Sequence, residues 1–301
     1  MKLVGYKLDG RQLIGVCVSN QIASLDDIDV FYASIPKYLD AARDIIENEV
    51  HGVTDAIDQT AGATRSSNIM STKTNISDIT YVPPVPTTSR ILCLGLNYLK
   101  HAEEQGDELP STPTIFARYR STLTGHLTEV PIPSDDDRFD WEGELAVIIG
   151  KPLKNATPEE AEAAILGYTC FNDLSARGYQ WATSQWTLGK NADRSGPIGP
   201  VVVTPGELGD PYKLNIETRV NGITMQSGNT SDMVFRAPET ISHISRIMTL
   251  LPGDVLSTGT PDGVGFTRRP PIYLKDGDNV EVEIEGIGIL SNYIVTGNGH
   301  R

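Results

Sequence analysis

The chain reads as an α+β protein, on three observations. Strand-like segments recur from end to end, short turn signals join several of them into hairpins, and the helical stretches between them are few and short. Without regular alternation of strand and helix, a doubly wound parallel sheet is not expected.

Taken in order, Val4-Gly5-Tyr6-Lys7-Leu8 and Leu13-Ile14-Gly15-Val16-Cys17-Val18 flank Asp9-Gly10 and predict a hairpin. Apolar positions at Ile35, Leu39, Ala42, Ile45 and Ile46 predict a helix over 35–49. Residues 52–80 are polar and carry no assignable pattern. Tyr81-Val82-Pro83-Pro84-Val85-Pro86-Thr87-Thr88-Ser89 is a proline-stiffened connector. The expected division is therefore a small N-terminal α+β domain over 1–80, a linker over 81–89 and a catalytic domain over 90–301.

Arg90-Ile91-Leu92-Cys93-Leu94-Gly95 predicts a strand that leads into a short helix through 97–104. Leu145-Ala146-Val147-Ile148-Ile149 is apolar and β-branched, as a buried strand is. Thr157-Pro158-Glu159-Glu160 opens a helix as a capping box with proline at its first position, and that helix is expected to close near Gly167. Tyr168-Thr169-Cys170-Phe171-Asn172-Asp173 returns as a strand, so strand, helix and strand can carry the chain from Glu144 back to Asp173. Asn221-Gly222 marks a hairpin between 216–220 and 223–225. A further helix is expected over 238–250, with Ile241, Ile244, Ile247 and Met248 on one face. Asp276-Gly277-Asp278 and Gly286 bracket a last strand pair.

A formal net charge of −14 over 301 residues repels phosphate backbones and anionic lipid surfaces, which argues against nucleic-acid and membrane partners. No apolar run approaches the roughly 20 residues of a membrane span. The N-terminus runs directly into strand-like sequence without the apolar core of a signal peptide. Cys17, Cys93 and Cys170 are widely spaced and sit in apolar contexts, so they read as buried free thiols. A cytoplasmic protein is the expectation.

The chemistry centres on acids. Glu142 and Glu144, in Phe139-Asp140-Trp141-Glu142-Gly143-Glu144, would stand about 7 Å apart on one face of a strand. Like charges turned into a sheet interior repel and lose hydration, so they need a cation, and a carboxylate set suits a hard divalent ion such as Mg²⁺. A Glu-x-Glu pair also fits a solvated strand face. His101 and Glu104 share a helix face, where a carboxylate orients an imidazole as general base; a solvated His beside Glu is the alternative. Lys190 precedes Pro197-Ile198-Gly199-Pro200 and, if buried near the ion, could hold a carboxylate or stabilise an enolate. Arg177 and Gln180 would share a face if a helix follows Asp173. Thr258-Gly259-Thr260-Pro261-Asp262-Gly263 opens no helix, so it reads as a tight turn whose threonine touches a ligand. His126, His243 and His300 show no partner spacing. No serine nucleophile elbow, phosphate loop or dinucleotide fingerprint is present.

Five motifs, in this order, resemble the fumarylacetoacetate hydrolase family over about 90–294. They are Gly95-Leu96-Asn97-Tyr98-Leu99-Lys100-His101, Asp140-Trp141-Glu142-Gly143-Glu144-Leu145, Phe171-Asn172-Asp173-Leu174-Ser175-Ala176-Arg177, Gly189-Lys190 with Pro197-Ile198-Gly199-Pro200, and Ser257-Thr258-Gly259-Thr260-Pro261. The resemblance implies a mixed β-roll or β-sandwich with a small N-terminal α+β domain. It implies Mg²⁺ or Mn²⁺ held by Glu142, Glu144 and Asp173, a His101–Glu104 dyad activating water, and Lys190 as a polar clamp. Arg177, Gln180 and Thr260 match pocket positions, and Arg118, where relatives often carry lysine, is expected to contact an anionic substrate. The activity implied is hydrolysis of a C–C bond in an acylpyruvate or other 2,4-dioxo acid, with a metal-stabilised enolate leaving. The alternative within the family is an isomerase, tautomerase or oxaloacetate decarboxylase using the same enolate. A homodimer acting on a small 2-oxo or diketo acid is implied as well. A non-catalytic metal-dependent binding protein is the reading from another class.

Overall fold

A computed structural model of the chain describes residues 1–50, 73–106 and 108–296. His300 and most of the unassigned stretch after residue 51 lie outside these residues.

One large, twelve-stranded sheet organises the molecule. Its main path runs Lys73–Asn75, Gln21–Asp27, Arg11–Val18, Lys2–Leu8, Gly196–Val203, Ile165–Asn172, Gly143–Ile149, Val255–Ser257, Ile91–Gly95, Thr114–Arg118. Most neighbours are antiparallel; Val255–Ser257 and Ile91–Gly95 run parallel. A five-stranded sheet, ordered Ile223–Asn229, Asn215–Val220, Asn279–Ile284, Gly288–Thr296, Glu129–Ile132, packs against it.

The strand Gly143–Ile149 shows why two layers form. It is buried along its whole length. Leu145, Val147 and Ile149 face a core shared with Ile216, Val282, Ile284 and Leu290 of the smaller sheet. Ala146 and Ile148 face the opposite core, with Leu25, Phe31 and Ile35 of the N-terminal block. Alternate side chains thus enter different cores, as the two-residue period of a strand requires. Lys2 and Leu3 pair with Val203 and Val202, so the sheet is continuous across the connector.

The predicted hairpin is present as Lys2–Leu8 and Arg11–Val18, and the predicted helix as Ile35–Val50. The Asn221-Gly222 turn takes positive φ at both residues, 52° and 76°, as a tight hairpin demands. Thr157 caps its helix, with Glu160 completing the capping box. That helix is shorter than expected. It spans Pro158–Glu162, and Gly167 lies inside the strand Ile165–Asn172. The glycine serves close packing there, because a Cβ would lie 2.6 Å from the Val203 carbonyl oxygen. The later helix also ends early, spanning Ala237–Ser245. Leu250 instead exchanges backbone hydrogen bonds with Leu153, and Ile247 is 84 % exposed rather than on the buried face.

Cys93 and Cys170 are buried and Cys17 is half-buried, all as free thiols. Among the described residues, no helix is long and apolar enough to cross a membrane.

Candidate active site

Pairing of the strands Gly143–Ile149 and Ile165–Asn172 assembles the acidic group. Gly143 pairs with Asn172 and Glu144 with Phe171, so Asp173 emerges beside Glu142. Asp173 N–H donates to the Glu142 carbonyl at 2.9 Å, and the Asn172 side-chain oxygen accepts from Glu142 N–H at 3.1 Å. Glu142 therefore stands just ahead of the strand rather than on its face, held by side-chain and loop contacts. Even so, carboxylate oxygens of Glu142, Glu144 and Asp173 lie within 4.8 Å of one another, all buried.

Cations surround two of the three. Lys190 Nζ donates to Glu142 Oε2 at 2.7 Å and to Asp173 Oδ2 at 2.6 Å. Arg177 reaches Glu142 Oε1 at 2.7 Å and is itself fixed by Asp140 and by Gln180 Oε1, at 2.9 and 2.8 Å. Arg118, expected to contact substrate, lies behind Asp173 instead. It donates to Asp173 Oδ1 and to Ser195 Oγ, is 2 % exposed, and does not line the cavity. Its role in this arrangement is to anchor a carboxylate.

Glu144 is different. Its Oε2 accepts from Ser257 Oγ and from Gly259 N–H, but no cation pairs with it among the described residues. Burial, followed by the negative charges of Asp173 and Glu142, pushes its carboxyl well up. Burial acts to raise Glu142 too, but the Lys190 and Arg177 cations outweigh it and hold that carboxyl at about 2. Burial would lower Lys190; Asp173 and Glu142 prevail and raise it, so the ammonium persists. The three carboxylates thus place oxygens close enough to share one ion, and Glu144 is the one without a cation of its own among the described residues. Glu144, Glu142 and Asp173 together make a set of three carboxylates that fits a hard divalent cation.

The short helix Leu99–Gln105 carries His101, which is buried. His101 Nδ1 lies 3.1 Å from Glu104 Oε1, and the Glu104 carboxylate also accepts from Gly263 N–H at 3.0 Å. A carboxylate only accepts, so in the neutral ring Nδ1 carries the hydrogen and Nε2 the lone pair. Gln105 places its amide nitrogen 2.6 Å from that Nε2 and donates to it. Thr260 Oγ1 donates to the Gly143 carbonyl at 2.9 Å and accepts from Gln226 at 2.8 Å, tying the glycine-rich turn to the acidic strand.

His101, Glu142, Glu144, Arg177, Gln180, Lys190 and Thr260 all line one cavity of about 60 Å³, whose apolar side includes Phe116 and Trp186. A larger groove of about 670 Å³, beside Ile35, Leu39 and Leu166, contains none of these residues. His101, the acids and the cations meet in the small cavity and not in the larger groove, and size alone does not make a reactive site.

The fumarylacetoacetate hydrolase C-terminal family matches residues 90–295. The chain belongs to the fumarylacetoacetate hydrolase family. Its fold is that of the family's solved members. The 5-carboxymethyl-2-hydroxymuconate delta-isomerase of Mycobacterium smegmatis superposes with a TM-score of 0.75 at 31 % identity, over 99 % of this chain and 100 % of that one. Maleylpyruvate hydrolase from Sphingobium sp. SYK-6, solved with manganese(II) and pyruvate, gives 0.75 at 26 %, over 99 % and 100 %. The human mitochondrial oxaloacetate tautomerase is 43 % identical over 73 % of this chain and 70 % of its own length.

Some residues that build the site receive no role from the sequence, three of them inside the family motifs and Gln226 outside them. Ser257, Asn172, Asp140 and Gln226 each position a predicted residue. Gln105 was readable in principle, since four residues separate it from His101 on one helix. Trp186 sits in an irregular loop, where spacing carries no information.

Proposed function

We propose that this protein is a divalent-cation-dependent enol–keto tautomerase acting on a compact 2-oxo dicarboxylic acid of the oxaloacetate type. One observation carries the reading: the His101 imidazole, oriented by Glu104, lines the same small cavity as Glu142, Glu144, Lys190 and Arg177. A cavity of about 60 Å³ favours a short acid over a long acyl chain. The human relative, a tautomerase at 43 % identity, supports the same choice.

A Mg²⁺ or Mn²⁺ ion held by Glu142, Glu144 and Asp173 would supply a Lewis acid that favours negative charge on the 2-oxo oxygen. The chain's own groups do the rest. Once the Gln105 amide gives up its hydrogen bond to Nε2, that nitrogen of His101 takes the enol hydroxyl proton, and Glu104 stabilises the imidazolium so formed. The same nitrogen returns the proton to the neighbouring carbon, giving the ketone with no net loss of atoms. Lys190 and Arg177 keep positive charge beside the substrate's carboxylate and oxyanion.

Hydrolysis, the first reading of the motifs, keeps one specific support in the likeness to a maleylpyruvate hydrolase bound to manganese and pyruvate. There His101 Nε2 would take its proton from a water attacking the distal carbonyl, and the C–C bond electrons would pass to the departing enolate.

Enol absorbance of oxaloacetate, followed with Mg²⁺ or Mn²⁺ beside a coupled pyruvate assay on acylpyruvates, separates the two. Accelerated enol decay without pyruvate release is expected. No acceleration over buffer with either ion would end the tautomerase reading, and faster pyruvate release from acylpyruvates would make hydrolysis the function.

A further inference from the structure

Resting on the reading of a 2-oxo acid site, we infer that Trp186 is the side chain that sets how long a substrate the cavity accepts. The polar lining is committed: Glu142, Lys190 and Arg177 are ion-paired, and His101 is held by Glu104 and Gln105. Carbons beyond the charged head of a longer acid find no favourable contact there, and they must run along the apolar side.

That side is formed largely by Leu94, Leu96, Phe116 and Trp186. Leu94 is 2 % exposed within the sheet strand Ile91–Gly95, and Phe116 belongs to the paired strand Thr114–Arg118. Leu96 directly follows the first of these strands. Trp186 comes from a distant part of the chain, in the loop after the helix Arg177–Trp181, and is half-buried.

Its indole reaches across from that loop to the strand end. A Cβ built on Gly95 would lie 2.6 Å from Cζ3 and 2.9 Å from Cη2 of Trp186, so the ring occupies the space a side chain at residue 95 would take. Phe116 meets the indole edge-on, with ring centroids 5.4 Å apart. The Trp186 carbonyl accepts from Lys190 N–H at 3.0 Å, and the Lys190 ammonium sits 5.2 Å from the Phe116 ring. The indole is therefore rooted one turn from the charged head site and forms a wall beside it. It makes no polar contact that the acid–base chemistry uses.

The test compares substrates within each protein. Ratios of kcat/KM are measured with Mg²⁺ for a longer 2,4-dioxo acid, such as benzoylpyruvate, against enol oxaloacetate, in wild type, Trp186→Ala and Trp186→Phe. Inhibition constants for oxalate and for a bulky 2-oxo acid, phenylpyruvate, give a readout that needs no turnover of the long substrate. Trp186→Ala is expected to raise the long-to-short ratio about tenfold or more, mostly through KM, and to tighten phenylpyruvate relative to oxalate. Trp186→Phe should shift both in the same direction but less, and it serves as the test if the alanine variant does not fold. Gly95→Ala, which displaces the ring from the other side, should also change the ratio. Ratios within twofold of wild type in both tryptophan variants overturn the inference. Wild type inert towards oxaloacetate and acylpyruvates alike would instead reject the functional reading, a separable outcome.

Discussion

Lys190 and Asp173 meet at 2.6 Å, both almost completely buried, in the middle of the acidic group. The same ammonium also holds Glu142, so removing it leaves two buried carboxylates short of a partner. Lys190→Met is expected to lower the unfolding free energy in chelator by about 3 kcal/mol. Added Mn²⁺ should recover more of that stability in the variant than it adds to wild type, because an ion bound only by the folded state stabilises it by mass action. Thermal denaturation with and without EDTA measures both effects; equal melting temperatures in EDTA would contradict the first.

Glu144 should respond in the opposite way. Its carboxyl is pushed well up by burial and by neighbouring Asp173 and Glu142, so the ion-free site favours its neutral form. Glu144→Gln replaces a neutral acid by a neutral amide that still offers an oxygen to Ser257 and Gly259. The stability cost in EDTA is expected to stay within about 1 kcal/mol, while the Mn²⁺-induced rise in melting temperature disappears. A large loss of stability without metal would show that the carboxylate is charged in the resting site.

His101→Ala separates base from ion site. The variant should keep the metal-induced rise in melting temperature yet lose about 10²- to 10⁴-fold in kcat. Full turnover in this variant would remove the dyad from the mechanism. Glu104→Gln is expected to lower kcat less, since the amide oxygen can still accept from Nδ1–H and orient the ring.

His126 predicts part of the acid sensitivity. Its Nδ1 accepts from Ser291 N–H at 2.9 Å, and its ring packs edge-on to Tyr81. Burial, partly offset by Glu281, lowers it from 6.5 to about 4. Between those values the unfolded chain binds a proton that the folded chain does not, so stability falls as pH drops from about 6.5 towards 4. The loss from this residue is about 2 kcal/mol after allowing for its partial contact with solvent. His126→Asn, which keeps an acceptor for Ser291, should flatten the decline of melting temperature between those pH limits. An unchanged decline would place the acid sensitivity elsewhere.

Much of this was legible in the order of residues, because the signals are local. Asp9-Gly10 and Asn221-Gly222 specify their turns by backbone conformation, Thr157 and Glu160 cap a helix within four residues, and Leu145–Ile149 can only be a buried strand. Local pattern misled where a distant contact decided the outcome. Gly167 looked like the end of a helix, yet its missing Cβ accommodates the Val203 carbonyl. Ile247 continued a helical stripe that the pairing of Leu250 with Leu153 interrupts.

The sequence by itself determined which acids, base and lysine exist and which lie close enough along the chain to cooperate, because helix and strand periods are fixed by the backbone. Only the tertiary structure decided which of them share a charge. Strand pairing brings Asp173 beside Glu142, and the fold buries Arg118 behind Asp173 rather than opening it to the cavity. It also leaves Glu144 without a cation among the described residues and sets Trp186 across Gly95. Burial and electrostatic partnership depend on groups far apart in the chain, and no spacing rule reaches them.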